Sequence, residues 1–161
     1  MPTKPKAPTA LAAFPTLDDA TRALPALVAP AAATLELMDA TSIRVGQSFA
    51  DAPAQILGFS PATEAALLIE YHATGDDELA ALAARGADVL GSIALRAPAV
   101  FSSEVKARAT AWKLRKGLYT SVAGARPSGT TALLEDIVVP VPSLASTCDG
   151  LQLLFERYGY R

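Results

Sequence analysis

The sequence predicts an α+β domain, an antiparallel sheet with helices on one face. Three observations carry that prediction. Residues 34–39 (TLELMD) alternate Leu35 and Leu37 inward with Thr34 and Glu36 outward, the period of a half-buried strand. Residues 65–71 (AALLIEY) form a near-continuous apolar run, which suits an interior sheet position. Helix-period stripes flank these strands, at Ala20, Leu24, Leu27 and Val28 before the first and at Leu79, Leu82 and Ala83 after the second.

Taken in order, residues 1–8 carry prolines and lysines and read as a flexible tail. Residues 9–14 are short and apolar and read as a first strand. Thr16 can cap a helix, with Asp18 and Asp19 in its first turn where carboxylates favour the helix dipole. Pro25 should bend that helix or end it. After the strand at 34–39, residues 40–61 show no clear period and read as an irregular insertion with one short helix near 52–57. Beyond the strand at 65–71, residues 74–77 make a turn and cap, and 78–85 a helix. Gly86 stands where a helix stops. Residues 87–95 read as a fourth strand. The resulting order, strand–helix–strand–strand–helix–strand, is ferredoxin-like.

Ser102 or Ser103 then caps a helix running to about Leu118. Val105, Ala109, Trp112 and Lys116 share one face of it, and Arg108, Arg115 and Tyr119 a neighbouring line. A strand at 131–139 and a helix at 143–158 follow, the helix ending at Gly159. Leu144, Cys148, Leu151, Phe155 and Tyr158 form its apolar stripe. These last elements look like the start of a second, similar unit. Residues 9–161 are thus a single domain.

Composition narrows the function. A chain of 161 residues with 51% hydrophobic content can bury a real core, and disorder is excluded over most of it. A net charge of -2 argues against a general nucleic-acid binder. No stretch approaches the roughly 20 apolar residues of a membrane helix. A single cysteine excludes an internal disulfide and a cysteine zinc cluster, and is compatible with a reducing cytosol. The one histidine, His72, reads as an exposed or hydrogen-bonded turn residue, so no metal site is expected. Cys148 reads as a buried, inert thiol. Asp76, Asp77 and Glu78 read as a helix-start cluster. No nucleophile elbow, Walker loop or dinucleotide fingerprint is present.

Between Glu104 and Glu135 no acidic residue occurs, while Lys106, Arg108, Lys113, Arg115, Lys116 and Arg126 do. That is six of the fourteen basic residues. Such a cluster ahead of a tight loop is a candidate anion site, since guanidinium groups fork onto carboxylate or phosphate. A solvated basic helix face is the simpler reading of the same residues.

Three segments carry a resemblance. They are Trp112-Lys113-Leu114-Arg115-Lys116-Gly117-Leu118, then Arg126-Pro127-Ser128-Gly129-Thr130-Thr131, and the run from Glu135-Asp136 through Pro140 and Pro142 to Leu144. Together they resemble the C-terminal, substrate-side (cap) domain of FAD-linked oxidases of the vanillyl-alcohol-oxidase type. Within that type they are similar to D-lactate, glycolate and D-2-hydroxyglutarate dehydrogenases, especially large bacterial members fused to an iron–sulfur part. A looser similarity in element order covers most of the rest.

The resemblance implies an oxidoreductase acting on a D-2-hydroxy acid. A hydride would leave C2 for FAD, and electrons would pass on to an iron–sulfur or quinone acceptor. It implies that FAD is held mainly by a separate upstream domain, so this chain has no cofactor-binding residues of its own to name. It places Arg115 at the substrate carboxylate. Tyr119 stands where family members carry threonine, and Leu134 where they carry lysine, which leaves recognition of a second carboxylate open. Arg126 is a further candidate through its charge and loop position. Trp112 is read as core packing ahead of substrate stacking, and Asp136 as structural. The family's histidine-bearing strand and Gly-Asp-Gly-Asn-type segment would lie beyond Arg161. The chain is therefore expected to be a fragment, with no catalytic residue of its own and no activity alone. Its expected location is the cytoplasm, including a peripheral seat at the inner face of the membrane. The alternative is a stand-alone ferredoxin-like module that binds a small ligand or homodimerises by sheet extension.

Overall fold

The computed structural model describes residues 7–60, 62–125, 127–131 and 137–159. Three strands form one antiparallel sheet: β1 (Thr9–Phe14), β2 (Thr34–Met38) and β3 (Ala65–Glu70), in the order β1-β3-β2. β3 lies in the centre, with Leu11 and Glu36 both opposite Leu68, and Thr9 and Thr34 both opposite Glu70. Every residue of β3 is buried, which is why its sequence is a run and not an alternation.

Side chains leave a strand on alternate faces, so β3 serves two cores. On one face Ala65, Leu67 and Ile69 join Ala12 and Phe14 from β1. Helices α1 (Leu17–Val28) and α4 (Asp76–Gly91) close that face with Ala20, Leu24, Leu27, Leu82 and Leu90. This is the α+β, antiparallel arrangement the sequence predicts. On the other face Ala66, Leu68 and Met38 meet Ile43 of α2 (Ala40–Gln47), Ile56 of α3 (Ala54–Leu57), and Leu114 and Leu118 of α5 (Val105–Ala125). Helices therefore cover both faces of the sheet.

Local signals place several boundaries. The Thr16 hydroxyl accepts the Asp19 amide at 3.0 Å and starts α1. Asp39 does the same for Ser42 at 2.8 Å and starts α2. α1 continues through Pro25, which is exposed, so the hydrogen bond it removes lies at the solvated side. Val28, placed on the inward stripe by its spacing, is 48% exposed. Residues 40–60 hold the one short helix expected there, α3, and a second one, α2.

The fourth strand expected at 87–95 does not form. α4 runs on through Gly86 to Gly91, burying Leu79, Leu82, Gly86 and Leu90 at one continuous helical spacing. Gly86 is a packing residue and not a stop. A Cβ there would lie 2.6 Å from the Tyr71 ring and 3.0 Å from the Phe101 ring. The vacant sheet edge beside β1 is held instead by the stretch from Arg96 to Ser102. The Arg96 amide donates to the Ala13 carbonyl, and Ser102 and Thr9 exchange two bonds, all at 2.9 Å.

Toward the C-terminus, a 3₁₀ turn (Val141–Ser143) leads into α6 (Leu144–Tyr158). Gly159 ends α6 at φ 70°, as its position predicts. α6 packs against α1, yet none of its residues is buried. Thr131 and 137–139, expected in a strand, lie in none, and 132–136 fall outside the described residues.

Candidate functional site

The polar half of the second sheet face is organised by α5. Its apolar side sends Leu114 and Leu118 into the core, and close contact with α2 is possible because of glycine. A Cβ on Gly46 would lie 2.5 Å from Leu114, and one on Gly117 would lie 2.9 Å from Phe49. That seating aims the neighbouring line of α5, Arg108, Trp112 and Arg115, at two carboxylates on the sheet.

The first carboxylate is Glu70, at the end of β3 and 1% exposed. Arg108 forks onto it, Nε to Oε2 at 2.7 Å and Nη2 to Oε1 at 2.8 Å. The Trp112 indole N–H and the Thr9 hydroxyl each donate to Oε2 at 2.8 Å. His72 Nε2 lies 2.6 Å from Oε1. An ionised carboxylate only accepts, so His72 carries its proton on Nε2. Burial alone would raise the Glu70 pKa. Donation from Arg108, Trp112, His72 and Thr9 outweighs it and holds the group down to about 2. The same contact raises Arg108 above its ordinary value.

The second carboxylate is Glu36 on β2, two residues from Thr34 and on the same face. Arg115 Nε donates to its Oε2 at 2.8 Å. The two arginine side chains are each 40% exposed, and the difference lies in the carboxylates, with Glu36 29% exposed and Glu70 1%. Lys116 stacks over the Trp112 ring at 5.7 Å from its centroid, and Lys113 pairs with Asp51 on the surface.

Of the residues singled out from sequence, Arg115 and Tyr119 share one line of α5, and Tyr119 is 52% exposed. Arg126 lies outside the described residues, as do Leu134, Glu135 and Asp136. Trp112 packs against the second core while its ring nitrogen serves Glu70. His72 is the hydrogen-bonded turn histidine expected. Cys148, expected to be buried, is half-buried, because α6 leaves none of its residues fully covered. Partial burial, followed by Asp149 and Asp39, pushes its thiol up, so it stays protonated at neutral pH. Arg108 was expected only as one of six cations of a candidate anion site, and neither Glu70 nor Glu36 was singled out. A signal for Glu70 existed: a carboxylate inside an apolar interior run must be paired, because an unpaired buried charge is prohibitively costly.

Two clefts flank α5. One of about 270 Å³ is bordered by Leu11, Pro53, Ala54, Glu104, Lys106 and Thr110, among others. The other, about 280 Å³, lies at the C-terminal end of α5, between Ala123–Gly124 and the 127–130 loop. Neither offers the aromatic or aliphatic slot an isoalloxazine ring needs. No glycine-rich strand-to-helix turn for a pyrophosphate occurs among the described residues. No group of three or more metal-ligating side chains is found among them either, and no helix there is long and apolar enough to cross a membrane.

The pattern of one protein family, FAD linked oxidases, C-terminal domain, matches residues 3–161. No curated protein matches the chain. The family implies FAD and a flavin-binding partner domain in the intact enzyme. The residues described here do not by themselves fit the flavin. With the match spanning nearly its whole length, the chain belongs to the family of FAD linked oxidases, C-terminal domain.

Proposed function

We propose that this chain is the substrate-side, cap-forming part of an FAD-dependent oxidoreductase of the vanillyl-alcohol-oxidase type that oxidises a D-2-hydroxy acid. Its partner is an upstream FAD-binding domain, and an iron–sulfur part elsewhere in the protein receives electrons. The enzyme works in the cytoplasm. The chain alone is not a catalyst.

The contrast between two arginines on α5 carries this reading. Arg108 is consumed by Glu70, bound through both its Nε and its Nη2. Arg115 donates its Nε to Glu36, a carboxylate that itself reaches water, 29% exposed against 1% for Glu70. A guanidinium has two forked edges. The outer edge of Arg115 is the one that takes the substrate carboxylate. Two parallel bonds to one planar group fix the carboxylate, and with it the direction of the C2–H bond. Tyr119, one turn further along α5, is the next substrate-binding candidate, and Arg126 is a candidate by its charge alone.

The test is Arg115→Ala in the intact enzyme, assayed with D-2-hydroxy acids. A lost charge-assisted pair corresponds to roughly 10- to 100-fold in kcat/KM. Arg115→Lys keeps charge without the fork and recovers only part of it. An unchanged kcat/KM for Arg115→Ala refutes the assignment.

A further inference from the structure

Glu36 has a consequence for which acids the site accepts. It lies on β2, opposite Leu68, with α5 across its face. Its carboxylate is 2.8 Å from Arg115 Nε, so the pair together carries no net charge. The neighbouring cations of α5 have other engagements. Arg108 is bound to Glu70, Lys113 to Asp51, and Lys116 lies over Trp112. A single carboxylate arriving at the outer edge of Arg115 meets one guanidinium already balanced by one anion. A second carboxylate on the same molecule, a few ångströms further on, meets the Glu36 charge as well.

We propose that Glu36 is a specificity-determining residue that selects 2-hydroxy monocarboxylates against 2-hydroxy dicarboxylates. This rests on Arg115 being the carboxylate clamp. Glu36 acts on the substrate through its charge and also holds the Nε edge of Arg115, so the outer edge keeps its direction. Like charges several ångströms apart at a partly wet site are worth about tenfold in relative affinity. Because Glu36 is partly exposed, added salt weakens the effect.

The experiment uses the intact enzyme with D-lactate and D-2-hydroxyglutarate as probes, and measures kcat/KM for each. Wild type should favour D-lactate. Glu36→Gln should raise the ratio of D-2-hydroxyglutarate to D-lactate about tenfold, mainly through KM, with a smaller gain at high salt. Glu36→Asp, which restores the charge, should keep the wild-type preference. Glu36→Thr, suited to an edge strand, serves as a second neutral variant if the glutamine form melts early. A wild-type preference for the dicarboxylate, or a ratio unmoved in the neutral variants, overturns the proposal while Arg115→Ala still lowers both rates. If Arg115→Ala lowers neither rate, the clamp assignment fails and takes this one with it.

Discussion

Glu70 is a charge set into the most apolar strand of the protein, and it is tolerable only because five hydrogen bonds surround it. Its donors come from β1, from the turn after β3 and from α5, so one carboxylate ties three parts of the chain together. Glu70→Ala strands Arg108 half-buried without its anion. The expected loss is about 3–5 kcal/mol, read by chemical denaturation. pH tests the same contact. The folded pKa of about 2 lies below the ordinary value of 4.5, so the contribution is complete above pH 4.5 and fades as pH falls toward 2. Denaturation midpoints should fall across that window in wild type, and more shallowly in Glu70→Gln. Equal slopes in the two proteins would mean that Glu70 is not held ionised by its donors.

Elements meet here at small residues. α4 reaches the sheet because Gly86 leaves room for the rings of Tyr71 and Phe101, which themselves pack with centroids 5.3 Å apart. Alanine is the better helix former, by about 1 kcal/mol in an exposed helix interior. At Gly86 packing wins. Tyr71 is fully buried and its ring has nowhere to retreat. Gly86→Ala should therefore lower stability by about 1–3 kcal/mol, and thermal melting would show a lower Tm. Gly91→Ala, with open space around its Cβ position, should not lower it. Residue 86 also shows why an expected strand failed. In sequence a glycine ending a periodic stretch reads as a stop. Whether it is a stop or a contact depends on Tyr71 and Phe101, which no local window contains.

The whole molecule is two cores on one sheet, and β3 belongs to both. Leu67 and Ile69 face α1 and α4, while Leu68 faces α2, α3 and α5. Neither core can open while β3 keeps its place in the other, so the two should unfold together. Trp112 reports on the second core through its fluorescence, and far-UV circular dichroism reports on all helices. The two signals should trace one denaturation curve. Leu68→Ala should shift both by the same amount, about 2–5 kcal/mol. Separated midpoints would show that the cores are independent. α6 lies at the margin of the first core, touching it at Leu144, while its Leu153 is 67% exposed, and Leu153→Ser should leave the midpoint nearly unchanged.

What the sequence determined by itself is what short range can encode. The bounds of β1, the cap of α1 at Thr16, the central position of β3 and the end of α6 at Gly159 follow from periods of two and 3.6 and from cap chemistry, all within a few residues. The class of the fold was legible in the same way. The tertiary structure decided the rest. It decided that α4 runs past Gly86, that Arg96–Ser102 takes the sheet edge, and that helices cover the second face. It also decided which carboxylate each arginine meets, the buried Glu70 or the partly exposed Glu36. Arg108 reaches Glu70 across 38 residues and Arg115 reaches Glu36 across 79. Charge pairing over such distances has no local signature, because it depends on where the packing of Gly46, Leu114 and Gly117 sets the axis of α5.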